Sequence, residues 1–381
     1  MKNILFVNDF AKIGGAEKAL LDLIAGMERG KFTSAVLLLE AGPLQQAIEE
    51  HGGKVSIIAF PQEILRAPFA FTIARTLKLA KHTCQTIRKL RAVAELISQH
   101  KYDFVITNSL KALIVVTIAR MWATGARQHF HYLHYFLPTK KGAGTRLISW
   151  FLSRTDCLIC NSEATLKQVQ WHNITCRKTA IVRQGFDRIT PINGSPVASN
   201  LIIGSAGRLS PVKNFEFLID VASLVRMRHP ALRVYIAGVA YTESDRRYEA
   251  KLRRYIEVKG MTKMVSFKGF VDNIWGFMDS IHVFMLCSHT ESFGRVLAEA
   301  MWSGKPIIAS RVGAIPEIVK NEVTGYTVPV GDVQEAARLV HFLIDRPEQA
   351  RKVGLAARIY AEKQLSYKSY VAEWQKVLLG L

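Results

Sequence analysis

Nowhere in the chain do two aspartates stand one residue apart, and no Gly-x-Gly-x-x-Gly occurs. The first absence removes the carboxylate pair that would hold a divalent metal on a diphosphate. The second argues against a nicotinamide-dinucleotide domain, although Glu40 after an apolar run sits where such a domain holds a ribose. Carboxylates are scarce altogether: 31 Asp and Glu face 51 Lys and Arg, a formal charge of +20. Residues 1–190 carry 26 cations against 13 acids and the remainder 25 against 18, so the first half is the basic one. Such a surface suits an anionic partner without choosing among nucleic acid, membrane and substrate. Because no DNA-reader motif is present, no nucleic-acid partner is expected.

Cysteine is sparse and scattered, at 84, 157, 160, 176 and 287, which predicts a reducing compartment without a disulfide framework. Cys157 and Cys160 have metal-knuckle spacing, but in Asp156-Cys157-Leu158-Ile159-Cys160 they fall on a strand, where residues three apart point to opposite faces. Long apolar runs are missing too. The longest, Ala112 to Ala123, is too short to span a bilayer and contains Arg120. The N-terminus enters a strand after Lys2-Asn3, leaving no room for a signal peptide. The expectation is a cytoplasmic protein, at most peripheral on the inner face of a membrane.

What is present is regular strand and helix alternation, twice over. At 381 residues the chain exceeds the usual growth of one core, and Thr190-Pro191-Ile192-Asn193-Gly194-Ser195-Pro196 reads as a linker. Two α/β domains are predicted, 1–190 and 198–366, each doubly wound, Rossmann-like and facing the other across a cleft. A terminal helix, 367–381, follows.

The most informative stretch is Glu291 to Gly304, ESFGRVLAEAMWSG. A buried strand, Val283 to Ser288, passes through a polar turn into a helix with Val296, Leu297, Ala300 and Met301 inward. Glu291 lies in the turn and Glu299 on the helix, and between them Ser292-Phe293-Gly294 present backbone N–H groups at a positive helix end, where phosphate binds. Upstream, Gly207-Arg208-Leu209-Ser210-Pro211-Val212-Lys213 places a planar fork and a movable point charge where both can face one diphosphate.

The Glu291-x7-Glu299 string and Gly-Arg-Leu-x-x-x-Lys resemble retaining glycosyltransferases of the GT-B fold, family 4 in particular. The resemblance covers essentially the whole chain, strongly over 201–330 and weakly over 40–130. It implies a retaining transferase that uses a UDP- or GDP-sugar and a saccharide acceptor. Catalytic positions would be His134, Glu291, Arg208 and Lys213. Donor-binding positions would be Gly14, Gly15, Arg208, Lys213, Gly269, Phe270, Glu291, Ser292, Phe293, Gly294, Arg295, Val296 and Glu299. Glu291 would hold sugar hydroxyls, Glu299 the ribose, Gly269 would lie beside the base, and Arg295, at a position usually aliphatic in the family, would reach phosphate or acceptor.

Gly14-Gly15-Ala16-Glu17, after the apolar strand Ile4 to Val7, resembles the family's element against donor phosphates and acceptor. Tyr132-Leu133-His134-Tyr135-Phe136-Leu137-Pro138 resembles its strand-end histidine, with His131 as the alternative. A metal on His129, His131 and His134 is not expected, since only the first two share a strand face. Ala180 to Asp187 resembles an Asn-Gly-Val-Asp turn with Gln184 in the first position, and Ala240 stands where the family usually has a second glycine. A terminal helix in this fold returns to the first domain.

Residues 64–94 carry Arg66, Arg75, Lys78, Lys81, Arg88, Lys89 and Arg91 without an acid, interleaved with Phe69, Phe71, Ile73, Leu77, Ile87 and Leu90. This predicts contact with anionic lipid. A lipid-linked saccharide acceptor in bacterial envelope polysaccharide or lipopolysaccharide synthesis is therefore the expected substrate, with no cofactor and no metal. The rivals are a sugar-nucleotide epimerase of the same fold and a non-catalytic saccharide- or lipid-binding module.

Overall fold

The computed structural model describes residues 1–27, 30–65, 80–124, 128–140, 142–188 and 201–380, with the backbone alone at 80–83. They form two compact units, Met1–Gly185 with Tyr370–Leu381, and Phe186–Ser369. The predicted linker at 190–196 and the basic positions Arg66, Arg75 and Lys78 lie outside the described residues, as does the side chain of Lys81.

The first unit is a seven-stranded sheet of β1 (Lys2–Asn8), β2 (Phe32–Leu38), β3 (Lys54–Ile57), β4 (Phe104–Thr107), β5 (Gln128–Leu133), β6 (Cys157–Cys160) and β7 (Lys178–Ile181), in the order β3-β2-β1-β4-β5-β6-β7. Every pairing is parallel, so both faces need cover, and β1, β4 and β6 run apolar through their middles. In β1, Ile4 and Phe6 enter one core while Leu5 and Val7 enter the opposite one. The same alternation puts Cys157 and Cys160 in different cores, as their strand spacing predicted. The second strand begins at Phe32, ahead of its apolar run Val36 to Leu38, because Phe32 to Ser34 pair with Lys2 to Ile4.

Helices fill the crossovers. Helix Leu110–Ala119 starts two residues before the apolar run suggested, where the Ser109 hydroxyl accepts from Ala112 N at 3.2 Å. Helix Ala80–His100 buries Leu90, Val93, Ala94 and Ile97, the i, i+3, i+4, i+7 stripe, and exposes Ile87, Arg88 and Arg91. The terminal helix Tyr367–Leu379 drives Tyr370 and Trp374 into the first unit's core. Tyr370 donates to Ala19 O at 3.2 Å and Trp374 meets Tyr132 edge-on at 5.2 Å.

The second unit is a six-stranded parallel sheet: β8 (Ile202–Ala206), β9 (Arg233–Ala237), β10 (Val265–Gly269), β11 (Val283–Leu286), β12 (Ile307–Ser310) and β13 (Tyr326–Val328), in the order β10-β9-β8-β11-β12-β13. In each sheet the strand order reverses once, beside β1 in the first and beside β8 in the second. The carboxyl ends of the strands at such a reversal are where open α/β sheets bind ligands.

Candidate functional site

In the second unit the loops after β8 and β11 converge. After β8 the chain turns at Gly207 (φ +153°) and makes a short 3-10 turn, Pro211–Lys213. Gly238, after β9, lies so close that a Cβ there would meet Gly207 O at 1.8 Å, so this glycine is required for the two loops to nest. After β11, His289 N donates to Val212 O at 2.8 Å, stitching the Glu291 loop to the Lys213 turn.

Lys213 Nζ lies 2.5 Å from Glu291 Oε2, and the same oxygen accepts from Ser288 Oγ at 3.3 Å. Ala314 N donates to the Glu291 carbonyl at 2.9 Å. The carboxylate is thus held by Lys213 from the loop after β8 and by Ser288 from its own loop, while Ala314 fixes the Glu291 backbone. Arg208 is half exposed, its guanidinium 4.0 Å from the buried Asp245 carboxylate, a contact loose enough to leave its donors available to a ligand.

Gly294 ends the turn in the left-handed region (φ +86°) and caps helix Arg295–Trp302. Phe293 is buried as an anchor while Ser292 and Val296 remain half-buried, so the first turn of that helix is held at the surface of its unit. Arg295 was expected to reach phosphate or acceptor. Its Nε instead lies 3.2 Å from Glu299 Oε1, and its guanidinium stacks 4.0 Å above the Phe186 ring. The i, i+4 spacing on one helix brings the two side chains together, and both are largely buried. Gly269 (φ +67°) has open space where a Cβ would point and is followed by Phe270, half exposed, and Gly238 N donates to Gly269 O at 2.7 Å.

In the first unit a buried polar network closes the carboxyl ends of β1, β4 and β5. Gly14 N donates to Glu17 Oε2 at 3.0 Å, and Asn8 Nδ2 reaches Glu17 Oε1 at 3.5 Å. Asn108 Nδ2 reaches Asn8 Oδ1 at 3.4 Å, and the Asn108 carbonyl contacts His134 Nε2 at 2.5 Å. Gly15 begins helix Gly15–Gly26 directly after its cap, Gly14. Burial raises the Glu17 carboxyl, against the lowering of hydrogen bonds from backbone N–H groups and Asn8. Asp9, just past β1, is likewise raised by burial, with Ser109 and Lys111 opposing the shift.

The three histidines diverge. His129 and His131 share the Thr107 hydroxyl, at 3.2 and 2.9 Å, and the second nitrogen of His131 meets Tyr135 Oη at 3.1 Å. Burial drives His131 down to about 3 and His129 well below its usual value. His134, half-buried and past the strand end, is also lowered by burial, with the Asn108 carbonyl pulling the other way. It is neutral near pH 7. Between the two alternatives, His131 is walled in and His134 stands half-buried just past the carboxyl end of β5. Among the described residues no group of three or more His, Cys, Asp or Glu is placed to hold a metal ion.

Sequence reasoning passed over Asn108, Asp9, Asp245 and Ser288. The first two stand at strand ends, a positional signal available in the sequence, whereas Asp245 and Ser288 carry no motif.

Two family models match: "Glycosyl transferases group 1" over residues 189–360 and "Glycosyl transferase 4-like domain" over 14–185. The putative glycosyltransferase EpsD of Bacillus subtilis is 25% identical over 303 residues, covering 72% of this chain and 76% of that protein. The D-inositol 3-phosphate glycosyltransferase of Streptomyces scabiei is 28% identical over 230 residues, 54% of this chain and 50% of its own. The chain spans about half the length, or less, of several such curated relatives. Among solved structures, Anabaena Alr3699/HepE in complex with UDP-glucose superposes with a TM-score of 0.83 at 26% identity, covering 100% of both chains. Two parallel-sheet units built this way, each matched by its own half of the family's models, make the chain a member of the group 1 glycosyl transferases, with the GT-B architecture.

Proposed function

We propose that the protein transfers a sugar from a UDP- or GDP-sugar to a saccharide acceptor with retention of anomeric configuration. The observation that carries this reading is the Lys213–Glu291 pair beside the Gly294 helix start. A sugar diphosphate needs a cation and N–H donors on its phosphates and a carboxylate on its hydroxyls, and these three lie on adjoining loops of one unit. The solved relative bound to UDP-glucose supports the donor class.

In this reading Lys213, Arg208 and the N–H groups after Glu291 stabilise the departing diphosphate without a metal or cofactor. The bond from the anomeric carbon to the diphosphate oxygen breaks, and the acceptor oxygen bonds to that carbon on the same face. The departing phosphate takes the acceptor's proton. Glu291 orients the sugar and Glu299, held by Arg295, the ribose. Gly269 and Phe270 border the base. Gly14 and Gly15 lie against the donor phosphates and the acceptor, and His134 points at the reacting sugar. The acceptor we favour is a lipid-linked saccharide of a bacterial envelope polymer, lipopolysaccharide included, met by a cytoplasmic enzyme resting on the membrane. Among the described residues no helix is long and apolar enough to cross a bilayer.

The test is release of free UDP or GDP on incubation with donor sugars and lipid-linked or free saccharides, with the product's anomeric configuration read by NMR. Acceptor-dependent nucleotide release with retention is expected. Conversion of the donor's sugar without transfer, or binding without turnover, would overturn the reading.

A further inference from the structure

We infer that helix Ala143–Leu152 carries a second docking face for an anionic lipid bilayer, separate from the basic segment at 64–94. From Phe104 to Thr155 the chain contains no Asp or Glu, while Lys111, Arg120, Arg127, Lys140, Lys141, Arg146 and Arg154 are all cationic. Within that stretch the helix buries Thr145, Ile148, Phe151 and Leu152 and turns Arg146, Trp150 and Arg154 outward at four-residue intervals, the last just past its end. Trp150 is 47% exposed, and the Arg154 guanidinium lies 4.7 Å over its ring.

Helix Leu110–Ala119 packs beside this one through a shared core that includes Leu113, Ile148 and Phe151. Its end adds Met121 and Trp122, 77% and 47% exposed. Arg120 at that end lies 3.6 Å from Asp156, two residues beyond Arg154, which joins the two helix ends into one patch. Exposed tryptophan between arginines is unfavourable against water alone. It fits the headgroup layer, where the indole sits at the interface and each cation adds attraction to acidic lipid. The inference needs no glycosyl transfer, because binding can be read without donor.

The experiment is sedimentation of the full chain with phosphatidylglycerol-containing or pure phosphatidylcholine vesicles at low salt. Trp150→Ala and the double variant Arg146→Glu/Arg154→Glu should each bind the acidic vesicles about tenfold more weakly or worse. The variant with Arg75, Lys78, Lys81, Arg88 and Lys89 changed to Gln should retain part of the binding. All should keep the wild-type melting temperature, since the altered side chains of the helix face are exposed. As a second readout, lipids brominated on the acyl chain should quench the wild-type tryptophan emission more than that of Trp150→Phe. Wild-type affinity in both helix variants, equal quenching in the Trp150→Phe protein, or no preference for acidic vesicles would each overturn the inference. So would retention of the wild type on a DNA column that Arg146→Glu/Arg154→Glu abolishes while its vesicle binding stays intact, which would make the face a nucleic-acid surface.

Discussion

Lys213 Nζ and Glu291 Oε2 stand 2.5 Å apart, joining two loops 78 residues apart in sequence, with side chains only 19% and 12% exposed. Each group is a partner of the other. A donor must therefore part or share this pair, offering phosphate to the ammonium and hydroxyls to the carboxylate. The pair holds both side chains in place for that exchange, which lessens the ordering needed on binding.

Glu291→Gln, Lys213→Ala and Arg208→Ala should each lower turnover by about a hundredfold or more with the fold retained. The double variant Glu291→Gln/Lys213→Ala should lose less than the sum of its parts, since the two groups act on one another. Steady-state kinetics with thermal melting as the control checks this, and near-wild-type rates in the single variants would remove the site assignment.

Glu299→Gln should act mainly on nucleotide affinity, because its proposed partner is ribose. Arg295→Ala should do the same indirectly, since it releases the carboxylate that Arg295 holds at 3.2 Å. Titration calorimetry with UDP and GDP decides, and unchanged affinity in Glu299→Gln contradicts the role.

Activity should survive EDTA if, as proposed, Lys213, Arg208 and backbone N–H groups hold the diphosphate. A complete loss restored by magnesium would refute this.

Acid should unfold the first unit through its histidines. Burial depresses His131 to about 3 and His129 well below the unfolded value near 6.5. Below about pH 6.5 the unfolded chain takes up protons that the folded chain refuses, so stability falls as pH drops from there toward about 3. His131→Asn should flatten this slope in urea titrations across that range, even if the variant is less stable at pH 7. An unchanged slope would exclude His131 as its source.

Much of the fold was readable because parallel strands covered on both faces are apolar runs, as at Ile4 to Val7 and Val283 to Leu286. The start of β2 was not, since Thr33 and Ser34 pair with Asn3 and Ile4 of β1 but carry no apolar pattern. In the site, Glu291, Glu299, Arg208 and Lys213 were visible as residue types at meaningful spacings. Their partnerships were not. The joining of Lys213 to Glu291 depends on how two crossover loops fold back over adjacent strands, which no local pattern encodes. The Arg295–Glu299 spacing was readable as a helical pair, but the sequence reading assigned the arginine to a ligand.

The last turns of the terminal helix belong to the first unit: Tyr370 and Trp374 fill its core, and Glu373 Oε2 accepts from Arg183 N at 3.0 Å. A chimaera built by cutting only at Gly185 would hand one parent's sheet another parent's plug. A graft that exchanges the first unit between such proteins has to move two pieces of chain together, residues 1–185 and 370–381. Conversely, Trp374→Ala should leave the unit Phe186–Ser369 intact and melt the first unit, making residues 370–381 a handle on the half from which they are most distant in sequence.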